Sequence, residues 1–282
     1  MKKSKKIISI VLAVMMIVGC MQCTLTAFAA GKQLDIAFVI DTTGSMDDDI
    51  GEVKGNMKQY LNNLEEAGND FRIAIVDYRD FASRTGDSSD YPYKVQLDFT
   101  NNHDSIIAAI NSLYADGGGD INETICSALI DGLSELSWRS TAGKAAILMG
   151  DAPALDPEPI TGYTKKMAVN KLKTNKTGYE EDIRATSMIS AMSSSKEERS
   201  AVTLFAVATS GSSSTASDFS YLAEETGGTC YTNISTYEIN EVIEEIIETI
   251  PEVVEEPSIF EIIWNWIVDF FKSVWDFITN IF

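Results

Sequence analysis

The chain has 282 residues, 45% of them hydrophobic, and a formal net charge of −20. That apolar content suffices for a sizeable core, and the length fits one large domain or one domain with appendages. The acidity excludes nucleic acid as a partner, because phosphate neutralisation needs a basic surface, and it fits an outward-facing protein able to hold cations.

Residues 1–30 read as an export signal. Lys2, Lys3, Lys5 and Lys6 form a basic start, Ile7–Val18 an apolar core too short to span a bilayer comfortably, and Ala27-Phe28-Ala29 a small-x-small cleavage site. Removing this stretch takes the net charge to about −24. Cleavage near Ala29 or Ala30 yields a secreted or cell-surface protein, and the style of the signal is bacterial. The alternative is a lipobox at Ile17-Val18-Gly19-Cys20, which makes Cys20 a lipidated N-terminus.

Leu34–Ile40 is an apolar run broken only by Asp35 and predicts a strand buried on both faces. Met46, Ile50, Val53, Met57, Tyr60, Leu61 and Leu64 follow at helical spacing, closed by Gly68-Asn69. Phe71–Val76 predicts a second strand, and Lys94–Phe99 alternates like an antiparallel edge strand. Helices are expected over Ile106–Tyr114 and Glu123–Leu136, then a buried strand over Ala145–Met149. The stretch 153–179, rich in Pro, Gly, Lys and Thr, reads as a long loop. A helix over Asp182–Met192, a strand over Val202–Ala208, a helix over Ser217–Thr226, a short strand over Thr229–Thr232 and an acidic helix over Ile239–Ile250 complete the order. Strands alternating with helices predict an α/β fold in residues 31–250: a doubly wound, mostly parallel sheet with helices on both faces.

Residues 251–258, prolines and glutamates, predict a stiff acidic linker. In residues 259–282 the polar residues Glu261, Asn265, Asp269, Lys272, Asp276 and Asn280 form one stripe on an otherwise apolar amphipathic helix. A charge on nearly every turn argues against a membrane span. Two uses stay open: packing or self-association, or attachment to a membrane surface through Trp264, Trp266 and Trp275. Outside the signal the cysteines are Cys126 and Cys230, either one disulfide or two separate buried thiols. Two thiols and one histidine are too few for a structural zinc site.

The segment Phe38–Asp49 crowds hydroxyls and carboxylates behind the first strand. In a doubly wound sheet, ligands bind at the carboxyl ends of strands. Asp41, Thr43 and Ser45 alternate, so a turning loop can aim their oxygens at one point, and such hard donors suit Mg²⁺ or Mn²⁺. Gly117-Gly118-Gly119-Asp120 and Gly150-Asp151 bring further acids to strand-end loops. Helix capping with a dipole-matched first turn explains one hydroxyl and Asp47–Asp49, but not Asp41 or the matching acids.

Asp41-Thr42-Thr43-Gly44-Ser45-Met46 resembles the metal-ion-dependent adhesion site of von Willebrand factor type A domains, whose pattern is Asp-x-Ser/Thr-x-Ser. Tyr78-Arg79-Asp80-Phe81, Asp98-Phe99-Thr100, Gly117 through Glu123, Trp138-Arg139 and Gly150-Asp151-Ala152-Pro153 extend the likeness, in the order of the branch found in hemicentin and alpha-kinase-associated domains. The resemblance implies a Rossmann-like fold and a divalent site with Asp41, Thr43 and Ser45 from the first loop and Asp151 after the fourth strand. Asp120 takes the place of the second loop's usual threonine, which adds negative charge. Asp48 and Asp49 stand where integrin beta subunits have a second cation site; the alternative is a solvated first helical turn. The implied cofactor is Mg²⁺ or Mn²⁺, with Ca²⁺ behind them, and the implied activity is binding of a protein or extracellular matrix ligand.

An enzyme is not expected. A dehalogenase-type phosphatase needs a second aspartate where Thr43 stands, no phosphate-binding or nucleophile-elbow motif is present, and His103 is the only histidine. The competing function is a cell-surface assembly subunit that associates through residues 259–282, with the metal only stabilising the loops.

Overall fold

The protein is seen in a computed structural model that describes residues 32–66, 70–174, 201–232 and 239–250, with Val268 and Lys272. The export signal and Cys20, the helix expected over 182–192, the linker and nearly all of residues 259–282 lie outside the described residues.

In chain order the elements are β1 (Gln33–Asp41), α1 (Asp47–Glu66), β2 (Asp70–Tyr78), α2 (Ala82–Thr85), β3 (Lys94–Thr100), α3 (His103–Ser112), α4 (Ile125–Ile130), β4 (Gly143–Gly150), α5 (Lys165–Thr174), β5 (Thr203–Ala208), α6 (Ser213–Glu225), β6 (Cys230–Thr232) and α7 (Ile239–Thr249). The strands form one sheet ordered β3-β2-β1-β4-β5-β6. All pairs are parallel except β2–β3, so β3 is the antiparallel edge that its alternation predicts. This is the expected doubly wound α/β fold.

The pleat of β1 divides the core. Leu34, Ile36, Phe38 and Ile40 face the layer built by α1, α3 and α7. Ala37 and Val39 face the layer of α4, α5 and α6. On that second face Ala37 lies in register with Ala74 and Ala146 on the neighbouring strands. This row of small side chains leaves depth for α4, whose every residue is buried.

Three local differences from the sequence pattern have physical causes. The helix expected over Glu123–Leu136 is α4 followed by a 3-10 turn at Gly132–Ser134. Glu123 is drawn out of it by a parallel bridge to Ala154, and Gly132 lies so close to Val76 that a Cβ would stand 2.9 Å from its Cγ1. The loop expected over 153–179 contains α5, which buries Ala168, Val169 and Leu172 among lysines that hide its periodicity. Helix α6 begins earlier than expected because Ser212 caps it, accepting from the backbone N–H of Thr215. Cys126 and Cys230 are free thiols, Cys126 buried and Cys230 half-buried, so the expectation of a disulfide gives way to its alternative.

Asp35, the one break in the first apolar run, is fully buried at the amino end of β1. Its Oδ1 accepts from Nε of Arg72 (3.0 Å) and of Arg139 (2.9 Å), and its Oδ2 from Arg72 Nη2 (2.7 Å) and the Arg139 backbone N–H (2.7 Å). At the same edge Lys32 Nζ donates to the carbonyls of Ile247 (2.7 Å) and Ile250 (3.2 Å), closing the end of α7. Replacing Asp35 by Ala removes four charge-assisted hydrogen bonds but leaves Arg72 on the Ser137 carbonyl and Arg139 on Asp70 and the Leu34 carbonyl, so the cost is about 2 kcal/mol. Urea unfolding of Asp35→Ala should show a loss of that order; a loss within experimental error would contradict the role given to this cluster.

Candidate metal centre

Asp41 is the last residue of β1, and Asp151 follows the last residue of β4. These strands are neighbours, and the chain winds outward from them in opposite directions, toward β2 and β3 on one side and β5 and β6 on the other. A doubly wound sheet opens a crevice at this reversal, and the two aspartates stand on either side of it.

The first loop turns sharply. Thr43 donates both its backbone N–H (2.9 Å) and its Oγ1 (2.7 Å) to Asp41 Oδ1, and its Oγ1 lies 3.4 Å from Ser45 Oγ. Asp41, Thr43 and Ser45 therefore come together as the sequence suggests. Gly150 permits the close packing beneath: a Cβ there would stand 2.5 Å from the Tyr78 hydroxyl and 3.1 Å from Asp41 Oδ2. Tyr78 in turn donates to the Met149 carbonyl at 3.3 Å.

The second loop is stitched to the first by backbone bonds, Gly44 N–H to Gly117 O (3.2 Å) and Asp116 N–H to Thr42 O (3.0 Å). Gly118 has a φ of +74°, and a Cβ there would be 3.0 Å from that of Thr43, so only glycine fits both the conformation and the space. Asp120 does not reach the cluster. It is half-exposed and pairs with Arg84, which also binds Asp80 and the Asn122 carbonyl. Glu123 is the acid of this loop that turns inward; it is 2% exposed, and its Oε1 lies 3.5 Å from where a Gly118 Cβ would be. In the third loop the Asp151 carbonyl accepts from Ser210 Oγ (2.6 Å) and Thr215 Oγ1 (3.0 Å), while its carboxylate Oδ1 has no partner.

Among the described residues, the buried side-chain polar atoms without a hydrogen-bond partner are Asp41 Oδ2, Glu123 Oε2 and Asp151 Oδ1. Comparably buried acids elsewhere have donors on both oxygens. Asp77 takes Thr42, Tyr91 and Gln96, Asp90 takes Gly118 N–H and Thr85, and Glu158 takes Ser127 and Thr161. The bare oxygens act on one another. Burial, reinforced by Asp151 and opposed by the Thr43 hydrogen bonds, lifts the Asp41 carboxyl to about 7. Burial and then the charge of Asp41 lift Glu123 to about 10. Burial, with Asp41, Glu123 and Asp151 all nearby, raises the Tyr78 phenol. The electrostatics ask for positive charge at this point.

No three Asp, Glu, His or Cys side chains form a closed metal cage among the described residues. The fit is instead to a mixed set, carboxylates of Asp41 and Asp151 with hydroxyls of Thr43 and Ser45, hard donors suited to Mg²⁺ or Mn²⁺. Asp48 is exposed in the first turn of α1, and Asp49 is half-buried, near Thr209, Asp151 and Asp48.

Sequence reasoning assigns no role to Arg79, which the structure puts beneath the loops. Its guanidinium is buried between the rings of Tyr91 (4.9 Å) and Tyr114 (5.0 Å) and donates to Thr42 Oγ1, Ser89 O and Tyr114 O. A signal was present in the flanking residues: an arginine directly after a buried strand must find acceptors in the loops around it.

Residues 35–234 match the family described as von Willebrand factor A domain. The chain belongs to this family. Over 132 residues it is 25% identical to alpha-protein kinase vwkA of Dictyostelium discoideum, covering 46% of this chain and 20% of that protein, so the chain spans about a fifth of its relative's length. Similar solved structures include proximal thread matrix protein 1 from the mussel byssus, 14% identical over 78% of this chain and 47% of that one, with a TM-score of 0.49. BatB from Bacteroides thetaiotaomicron is 12% identical over 77% of this chain and 98% of that one, with a TM-score of 0.48.

In this von Willebrand factor A domain, the folded Asp41 carboxyl titrates near 7, above its ordinary 3.8. Its protonated form is thus favoured by folding; the contribution is complete below 3.8 and is lost as pH rises through about 7. In chelator-treated protein, Asp41→Asn should raise the thermal midpoint over wild type at pH 8 and change it little at pH 5. A difference that does not vary with pH would contradict an unpaired buried carboxylate at this position.

Proposed function

We propose that this von Willebrand factor A domain is an exported, non-catalytic interaction module that holds Mg²⁺ or Mn²⁺ between β1 and β4 and binds a protein or matrix partner there. The observation that supports this most is the pair of bare oxygens, Asp41 Oδ2 and Asp151 Oδ1, facing the crevice at the sheet's reversal. Asp41, Thr43, Ser45 and Asp151 would hold the cation. When bound, it would supply a Lewis-acidic position for an oxygen of the partner.

The residues of the chain do the preparatory work. Thr43 occupies Asp41 Oδ1 and leaves Oδ2 without a partner, buried beside Gly150. Ser210 and Thr215 fix the main chain of Asp151 without using its carboxylate. Arg79 and the backbone bonds between loops hold the arrangement rigid, so a ligand meets a formed site and little ordering is needed. Around it, Ile121 and Tyr114 are 74% and 62% exposed, apolar contacts of the kind a protein partner covers.

The non-catalytic reading is supported by the position of His103, the only histidine of the chain. It begins α3, its Nε2 lies 3.2 Å from Glu65, and its ring packs on Phe71 at the opposite end of the sheet.

A cation that binds only the folded chain stabilises it by about 2.7 kcal/mol at a hundredfold excess over Kd, on the order of 5–10 °C for a domain of this size. Thermal unfolding of metal-stripped wild type with Mg²⁺, Mn²⁺ or Ca²⁺ should show such a rise, strongest for the first two, and Asp41→Asn should abolish it. If wild type and variant respond alike, these oxygens are not a cation site.

A further inference from the structure

The second loop offers two acids to the crevice, and the fold treats them differently. Asp120 is half-exposed and already bound by Arg84. Because Arg84 also grips Asp80 and the Asn122 carbonyl, the loop is pinned with Asp120 turned outward. Three residues later Glu123 is 2% exposed, and its Oε2 has no partner. Its main chain is fixed to the loop that bears Asp151: its N–H donates to Pro153 O (2.9 Å), and its carbonyl accepts from Leu155 N–H (2.9 Å). Its Oε1 lies alongside Gly118, the glycine packed against Thr43.

Among the described residues the other buried glutamate, Glu158, is fully matched. Glu158 is equally buried, and its oxygens take the Ser127 N–H at 2.7 Å, the Ser127 hydroxyl and the Thr161 hydroxyl at 2.6 Å. A desolvated carboxylate oxygen with no donor is costly unless the group takes up a proton or a cation or its bound water completes it. Glu123 stands between the loops that bear Thr43 and Asp151, which is where such a cation would be.

We propose that Glu123, and not Asp120, is the second loop's contribution to the cation site, with its free oxygen turned toward the ion and its shell. The inference rests on the cation reading above. Asp120 then lies outside the site, its charge taken up by Arg84, which Asp80 and the Asn122 carbonyl also hold in place.

The probe is Mn²⁺ itself, titrated into the full metal-stripped chain and followed by the electron paramagnetic resonance signal of the free ion. Wild type, Asp41→Asn, Glu123→Gln, Glu123→Asp and Asp120→Asn are compared, with the thermal midpoint in chelator as a check that each is folded. Glu123→Gln keeps the shape and removes the charge; Glu123→Asp keeps the charge on a shorter arm. Both should weaken Mn²⁺ binding about ten- to a hundredfold, while Asp120→Asn stays within about twofold of wild type. If Asp41→Asn loses Mn²⁺ while both Glu123 variants bind as wild type or tighter, the cation site stands, and Glu123 shares a proton or a water with its neighbours instead. A large loss in Asp120→Asn with none in the Glu123 variants would likewise overturn the assignment. Absence of Mn²⁺ binding by wild type would overturn this inference together with the cation site.

Discussion

A carboxylate taken out of water without a partner destabilises a fold by several kcal/mol, and proteins normally avoid this by pairing it or by keeping it protonated. The two ends of β1 show both situations in one strand. At the amino end Asp35 is saturated by two arginines and fastens β1 to β2 and to the segment before β4. At the carboxyl end Asp41 has one oxygen held by Thr43 and the other bare, with further bare oxygens on Asp151 and Glu123. The first aspartate belongs to the stability of the sheet. The second is left unpaired with its proton affinity raised, and the loops around it hold that incomplete point in place.

That support is mostly main chain. Loops that bear like charges would spread apart if left alone. Here Gly44 is bonded to Gly117, Asp116 to Thr42, and Glu123 to the segment Pro153–Leu155, so the three loops are tied pairwise. Gly118 and Gly150 let them approach to distances at which a side chain would collide with Thr43 or Tyr78. Arg79 adds the one fully buried positive charge beside the cluster and shares it among Thr42, Ser89 and Tyr114. The chain thus keeps its acids close at the cost of raised proton affinity, a perturbation of the kind that gathers at functional sites.

Much of this was legible in the sequence because it follows from periodicity. The apolar run of β1, the seven-position helical stripe of α1 and the alternation of β3 each have one physical reading, and the α/β order fixes which strand ends face the crevice. Asp41, Thr43 and Ser45 were legible because their spacing has no full explanation as a helix cap. Asp120 and Glu123 were not separable that way. Both follow the same glycines, and what distinguishes them is Arg84, contributed by a different loop and visible only after folding. Helix α5 was hidden because its buried face is only Ala168, Val169 and Leu172, set in a lysine-rich stretch behind a proline-rich one. Glu123 was absorbed into a helix because its own bridge to Ala154 is a long-range contact that local pattern does not encode.

The described segments also place the site relative to Lys32 and the end of α7. Lys32 and the end of α7 meet at the amino edge of β1, and a nine-residue strand puts Asp41 about 30 Å away at the other edge. The most direct measurement is a crystal structure of the chain grown with Mn²⁺, with anomalous differences collected at the manganese edge. The account predicts one strong peak in the crevice within coordination distance of Asp41, Thr43 and Ser45, with Asp151 and Glu123 turned toward it. Density showing water alone among these side chains, or a manganese peak only at Asp48 and Asp49, would contradict it.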